Sequence, residues 1–409
     1  MKEPRHLRVL CFDVEGGHGG SSRSLFGLLA AIDRGQVSPE VWCRRGGAVG
    51  WYAKLDIPCR VESGLPRFSA GSYRLRDNLS QLRTSLPSFV KAAPLIRQIA
   101  KIANHRFDLI HFNHTAFFLL AWCLRHQTKI PFVMHIRTQT PDSFLARWQV
   151  RTICRNVDGL VFITENEREH HRKLVSSIAG TVVYNPLLPR DVDIKPLELN
   201  QDTRLRIASL GNFSWYRGID RLVDVALELL ARNRRDFLFV VAGDMQLPSN
   251  ARGRLAPFGR RGETLEEYTS ANGVTEMFHF VGHTQNPEEV IAACDVVAAL
   301  TREYNPWGRT IIEALGFGKP VISIGRWDGF VKHDATGFLY AEFDAATVAH
   351  DLIRLADNRD LGRQMGLSAR ARIERLCNPA ERANDLLEVW QSAVLRRTNK
   401  KTQHKRKIG

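Results

Sequence analysis

The sequence predicts an α/β protein of two doubly wound domains, each a parallel sheet with helices on both faces. Three observations carry that expectation. Short apolar runs alternate with amphipathic helical patterns along nearly the whole chain. Each half opens on an apolar strand, a glycine-containing turn and a helix. A stretch with three prolines, 186–203, separates the halves, and 409 residues suffice for two domains of ordinary size.

Arg8 to Asp13 reads as a first buried strand, and EGGHGGSS comes after it. A helix from about Ser21 then carries Leu25, Leu28, Leu29 and Ile32 at helical spacing. Glycines in such a turn let backbone approach a ligand closely. The pattern is not a dinucleotide fingerprint, because Ser22 stands where the third glycine belongs. Residues 71–107 alternate basic and apolar positions, with Leu75, Leu79, Leu82 and Leu86 in one set and Phe89, Ile96, Ile99 and Ile102 in another. The favoured expectation has the leucines facing the core and the cations facing water; a basic amphipathic helix on a membrane surface is the other. Asp108 to His114 and Pro131 to Thr138 read as strands that end in polar clusters. His111, Asn113, His114, His135 and Arg137 therefore stand at carboxyl strand ends, where open parallel sheets bind ligands. Gly159 to Thr164 and Thr181 to Pro186 complete the first sheet.

Leu205 to Leu210 opens the second half, with a turn at Gly211 and a helix from about Gly218 that carries Leu222, Val225, Ala226, Leu229 and Leu230 on its apolar face. Phe237 to Asp244 is the next strand, and 245–264 reads as a mobile loop. FHFVGH and CDVVAAL add two short strands, and helices are expected from about Ala345, Asp360 and Pro379. The expected limits are 1–190 and 191–375 for the two domains, 376–395 for a closing helix and 396–409 for a disordered basic tail.

Composition excludes several classes. Hydrophobic content of 44% and charged content of 25% are those of a globular chain. Seven scattered Cys contain no CxxC, which supports neither a zinc site nor a disulfide framework, and a reducing cytosol is the simplest home. The start lacks a secretory signal, and the longest apolar stretch, Ala116 to Leu124, is about half a membrane span. The net charge of +15 concentrates in 71–107, with seven Lys or Arg against one Asp, and in 396–409, with seven more and no acid. Such patches suit an anionic membrane surface at its cytoplasmic face. A nucleic-acid partner is not expected, since no aromatic platforms interleave with the basic runs.

Asn305 to Pro320, NPWGRTIIEALGFGKP, holds a turn, a helix start and a helix stop. Free N–H groups of Gly308, Arg309 and Thr310 at that helix start can face a phosphate, and Glu313 can accept from sugar hydroxyls. Helix chemistry alone favours a packing helix with Glu313 on its solvated face. The stretch resembles the signature of retaining GT-B glycosyltransferases of family 4: a Glu, seven residues, a second Glu, with Phe-Gly between them. Here Trp307-Gly308 stands for Phe-Gly, Glu313-Ala314 for the second Glu and its Ala, and Gly318-Lys319-Pro320-Val321-Ile322 for the run after it. Asn305 occupies the first Glu position, and Glu303 lies two residues out of register.

The resemblance spans roughly residues 8–395 and implies the GT-B arrangement, two Rossmann-like domains facing a central cleft with a C-terminal helix crossing back to the first. It implies a glycine-rich loop at Gly16, Gly17, Gly19 and Gly20, a His at His135 facing the donor sugar, and an Asn at Asn185. Of the family's Gly-Arg…Lys-Gly pair of cations on the donor diphosphate, Gly211 and Gly218 match, Arg217 replaces Lys and Asn212 replaces Arg, leaving Arg309 to supply charge. The implied reaction is hexose transfer from a nucleotide sugar, with retention and without metal or other cofactor, to a cell-surface glycan or lipid-linked acceptor. Catalytic roles fall to His135, Asn305 and Glu313. Asn305 and Asn212 motivate the competing expectation, a non-catalytic GT-B protein that binds sugars or partners.

Overall fold

The computed structural model describes residues 6–14, 19–68, 75–188, 194–199 and 203–408. The chain divides into two compact units, Met1–Pro186 with Cys377–Gly409, and Leu187–Leu376.

The first unit runs β1 (Leu7–Phe12), α1 (Gly20–Ala31), β2 (Val37–Cys43), α2 (Ala48–Lys54), β3 (Cys59–Val61), α3 (Leu75–Lys91), α4 (Ala93–Arg106), β4 (Leu109–Phe112), α5 (Phe118–Arg125), β5 (Phe132–Ile136), α6 (Phe144–Asn156), β6 (Gly159–Phe162), α7 (Glu165–Leu174) and β7 (Thr181–Val182). Its sheet is parallel in the order β3-β2-β1-β4-β5-β6-β7. Near-continuous apolar strands such as LRVLCF bury both faces, as a doubly covered parallel sheet requires. One face packs on α4, α5 and α6, and the other on α1 and α2.

The second unit runs β8 (Leu205–Leu210), α8 (Arg221–Ala231), β9 (Phe237–Ala242), α9 (Ala256–Arg261), α10 (Leu265–Ala271), β10 (Phe278–Gly282), α11 (Pro287–Ala293), β11 (Val296–Ala299), α12 (Arg309–Gly316), β12 (Val321–Ile324), β13 (Gly337–Tyr340), α13 (Ala345–Asp357) and α14 (Arg359–Leu376). Its sheet is parallel in the order β10-β9-β8-β11-β12-β13. The chain then returns to the first unit in α15 (Pro379–Ile408), where Ala383, Leu386, Leu387, Trp390 and Ala393 pack at helical spacing on the α1 side of the sheet.

Both sheets reverse their direction of growth once, between β1 and β4 and between β8 and β11. The carboxyl ends of those pairs are the topological switch points of the fold.

Several expectations change. The basic run from Arg396 continues α15 as helix to Ile408, because nothing breaks the helix after its buried stripe ends at Ala393. Residues 245–264 are not a loose loop: they contain α9, and Gln246 bridges to Thr264. In 71–107, Ile96 and Ile99 of α4 are buried as expected, whereas Leu79 and Leu86 of α3 face water.

Candidate functional site

In the first unit the switch point holds a buried polar network. Asp13 comes after β1 and Asn113 after β4, and the Asn113 amide donates to Asp13 Oδ1 at 3.0 Å. Tyr52 donates to Asp13 Oδ2 at 2.7 Å. Burial raises the Asp13 carboxyl above the usual aspartate value, against the pull of Tyr52, Asn113, Ser22 and the Arg137 charge. Arg137, just beyond β5, sends Nε to Asn113 Oδ1 at 2.9 Å and Nη1 to Asn185 Oδ1 at 2.8 Å. Asn113 thus relays between a buried cation and a buried carboxylate, its amide N–H aimed at one and its carbonyl at the other.

The histidines flank this relay. Arg137 Nη2 donates to His135 Nδ1 at 3.3 Å, and Trp390 Nε1 donates to His111 Nδ1 at 3.2 Å. Arginine and tryptophan have only donors to offer, so each neutral imidazole carries its proton on Nε2. Burial holds His135 well below the ordinary histidine value and His111 at about 3, with the Arg137 charge acting in the same direction on both. Neither Nε2 has an acceptor among the described residues. Both rings are neutral at physiological pH. His135 is wholly enclosed within its unit. Gly19 is the N-cap of α1 and Gly20 its first residue; Gly16 and Gly17 lie outside the described residues.

In the second unit the switch point is built from the β8–α8 loop and the β11–α12 loop. Gly211 turns the chain after β8 at φ +117°, and a Cβ there would stand 2.4 Å from Arg217 Nη1. Gly218, at φ +68°, sits so close to Leu300 that a Cβ would meet its carbonyl oxygen at 2.0 Å. Glycine is therefore required at 218 by both conformation and space. Arg302 fastens the loops together: its guanidinium forks onto Asp220 at 2.8 and 2.6 Å and lies 3.7 Å from the Trp215 ring centroid. Arg221 Nη1 donates to the carbonyls of Leu300 and Thr301 at 2.9 and 3.0 Å.

Asn212, expected on the donor, turns its Oδ1 to the backbone N–H of Asp244 at 3.0 Å. Arg217 is exposed, and its charge bears on Glu303. Asn305 Nδ2 donates to Glu303 Oε2 at 3.2 Å. Solvent reaches Glu303, yet the surrounding loop strips enough water from its carboxylate to raise its pKa, against Arg217 and the Asn305 amide. Between the two, Tyr304 adopts φ +53°, an uncommon conformation for a tyrosine, and donates to Glu342 Oε2 at 2.7 Å.

Gly308 caps α12 in extended conformation, with nothing within 4 Å of where a Cβ would stand. Helix geometry leaves the N–H groups of Arg309 and Thr310 without intrahelical acceptors. Arg309 Nε donates to Glu313 Oε1 at 3.0 Å, and both side chains are about nine-tenths buried. Two residues expected to act separately on the donor thus form one ion pair. Glu313 is not on a solvated face. Trp307 is buried edge-on to Trp327.

Sequence reasoning missed Asp13, Tyr52, Trp390 and Arg302 as members of these clusters. Asp13 ends the first strand and carried a signal; the other three reach their sites by tertiary packing that no local pattern records.

Two family models match: "Glycosyl transferase 4-like domain" over residues 19–186 and "Glycosyl transferases group 1" over 191–372. Together they cover more than half of the chain, which belongs to the family 4-like, group 1 glycosyltransferases of GT-B fold. A D-inositol 3-phosphate glycosyltransferase of Corynebacterium diphtheriae is 27% identical over 365 residues, 80% of this chain and 81% of its own length. One from Nocardia farcinica is 26% identical over 74% of this chain and 70% of its own. Among solved structures, HepE of Anabaena in complex with UDP and glucose superposes with a TM-score of 0.72 at 19% identity, covering 95% of this chain and all (100%) of its own. Sucrose-phosphate synthase of Thermosynechococcus elongatus does so at 0.70 and 19%, covering 94% and 98%. Among the described residues no helix is long and apolar enough to cross a membrane.

Proposed function

We propose that this glycosyltransferase moves a hexose from a nucleoside diphosphate sugar, with retention at the anomeric carbon, to a cell-surface glycan or lipid-linked acceptor. The observation that carries the donor assignment is the convergence at the second switch point of Arg217, the glycine turns at 211 and 218 and the open first turn of α12. Such a convergence suits a diphosphate: a fork-shaped cation for its oxygens and backbone N–H groups at a helix start. The same elements stabilise the charge that grows on the departing diphosphate, which is where transfer gains most of its rate. The HepE structures, solved with UDP and with UDP-glucose, make a UDP-sugar the first donor to try.

Glu303 with Asn305 takes the part of the acid expected at 305. The amide holds the carboxylate, and the carboxylate accepts from a sugar hydroxyl beside the diphosphate cation. His135, wholly buried and neutral, is given no contact with the donor. No step is assigned to a metal. The basic 71–107 region and the helical tail hold the enzyme at an anionic membrane surface.

The test is turnover of a panel of UDP-, GDP- and ADP-hexoses, with calorimetry of the nucleotide alone. One donor is consumed, and Arg217→Ala weakens nucleoside diphosphate binding by roughly tenfold or more, the loss of a charge-assisted hydrogen bond. Unchanged affinity in that variant removes Arg217 from the donor site.

A further inference from the structure

We propose that the solvent face of α6 docks on an anionic phospholipid bilayer, with Phe144 and Trp148 entering the interface and lipid phosphate held by Arg151, Arg155 and Lys173. This rests on the membrane side of the proposed function and centres the contact on α6, a helix outside the basic runs of the sequence.

The helix is FLARWQVRTICRN. At about 100° per residue, Phe144, Arg147, Trp148, Arg151 and Arg155 fall within roughly 100° of arc. The opposite arc, with Leu145, Ala146, Val150 and Ile153, is buried in the core. The outward stripe has no acid, and among the described residues only Arg147 is engaged by one, in a 2.7 Å pair with Asp142. Phe144 is 76% exposed and Trp148 37% exposed, and Trp122 on the neighbouring α5 is 48% exposed. Aromatic side chains this large gain nothing from water; at a bilayer interface their apolar body is covered while the indole N–H stays wet.

Beside the stripe lies a cavity of about 480 Å³, lined by Arg147, Arg151, Arg155, Lys173, Ser176 and Ser177. Cations with hydroxyls at the rim are phosphate-binding chemistry. A second helix of the same layer repeats the pattern. On α3, Leu79, Arg83, Leu86 and Val90 fall within about 60° of arc, and Val90 is 75% exposed. The helices α3, α4, α5 and α6 pack in succession, covering one side of the sheet. That side therefore presents apolar groups framed by cations at both edges.

Charge selects the occupant. A second copy of this chain would bring the same cations face to face in an isologous contact, on a chain of net charge +15. A nucleic acid would leave Phe144, Val90 and Leu86 uncovered. An anionic bilayer satisfies both the apolar stripe and the cations.

The test is co-sedimentation of the full chain with phosphatidylglycerol-containing vesicles and with neutral phosphatidylcholine vesicles, over a salt series. Binding is expected to the anionic vesicles and to weaken steeply with salt. Arg151→Glu with Arg155→Glu lowers the partition coefficient at least about 30-fold, at about fivefold per cation. Arg151→Lys with Arg155→Lys retains it. Phe144→Ser with Trp148→Ser lowers binding about tenfold or more and leaves its salt slope unchanged. Donor turnover in solution is unaffected by these variants, so failure here and failure of the donor reading are separate results. Equal binding of both vesicle types, or undiminished binding by the charge-reversal variant, overturns the proposal. So does a chain that binds heparin but no vesicle, or an aromatic variant that changes only self-association.

Discussion

The Arg309–Glu313 pair predicts that the obvious test of catalysis, Glu313→Ala, is also a test of folding. Both side chains are about nine-tenths buried, with Nε and Oε1 at 3.0 Å. Removing one partner of a buried pair costs about 3–5 kcal/mol. Arg309 sits in the first turn of α12, where the helix dipole already disfavours a cation, so the helix itself offers no replacement for Glu313. For a unit of this length, about 2–4 °C of Tm per kcal/mol gives a loss of about 6–20 °C. The double variant Arg309→Met with Glu313→Leu removes both charges and keeps the volume. It is expected to recover most of that stability, since apolar isosteres replace buried pairs with little loss. The assay is thermal unfolding of the single variants Glu313→Ala and Arg309→Met and of the double variant, alongside turnover of the identified donor. Recovered Tm with lost turnover separates the functional role of Glu313 from its structural one. Single variants each within about 1 kcal/mol of the parent would refute the buried pair. A double variant with undiminished turnover would remove Glu313 from the reaction.

Gly218→Ala places a Cβ on the Leu300 carbonyl at a left-handed position, so it should displace the β8–α8 loop and abolish nucleotide binding while the first unit melts as before; calorimetry with unchanged affinity would contradict the geometry. Glu303→Gln keeps the shape of its side chain and loses the charge that Arg217 and Asn305 hold; turnover should fall at least about 100-fold with nucleoside diphosphate affinity changed less than about threefold, and turnover equal to the parent's removes Glu303 from the sugar. The first unit should lose stability in mild acid. His111, His114 and His171 have folded values of about 3, 4 and 4, lowered chiefly by burial. Unfolded histidine titrates near about 6.5. The unfolded chain thus binds more protons between these limits, so stability is full above about pH 6.5 and falls as pH drops toward 4, by up to about 1.4 kcal/mol per pH unit per histidine. Asp13, with its raised value, opposes part of this loss at the acid end. Urea midpoints at a series of pH values read it out, and a flat profile contradicts the buried neutral rings.

The fold was largely legible because its strands are apolar on both faces. LRVLCF, LRIASL and FLFVVA have no alternation and no room for another assignment, and their glycine turns mark where helices begin. β2 was not legible: VSPEVWC carries a proline and a glutamate inside the strand. It survives because Val37, Val41, Trp42 and Cys43 are buried beside β1, a tertiary gain that outweighs poor local propensity. α3 misled in the other direction. Its leucines have helical spacing, but spacing does not say which face meets the core, and Leu79 and Leu86 face outward.

The site divides by the range of its interactions. The turns that need glycine, at Gly211 and Gly218, were legible as turns, since glycine between a strand and a helix has few other uses. Residues that act through partners distant in sequence were not. Asp13 and Asn113 are 100 positions apart, and His111 and Trp390 are 279 apart. The two switch points nonetheless solve one problem in one way. Each ties a cation to a carboxylate: the buried Arg137 through Asn113 to Asp13, and the partly buried Arg302 directly to Asp220. Such a pair is poor at adding net stability, because desolvation takes back most of what the attraction supplies. It is good at fixing position, because a guanidinium fork satisfied at several oxygens has a single geometry. The proposed donor site, which must present Arg217, Glu303 and the α12 start in one arrangement, needs that fixity more than it needs a few kcal/mol. Arg302→Met tests this: it strands the Asp220 carboxylate and so lowers the Tm of the second unit, and it should also lose nucleotide affinity, because it no longer holds the Trp215–Arg217 turn in place. An Arg302→Met variant that binds nucleotide like the parent would show that the fork serves stability alone.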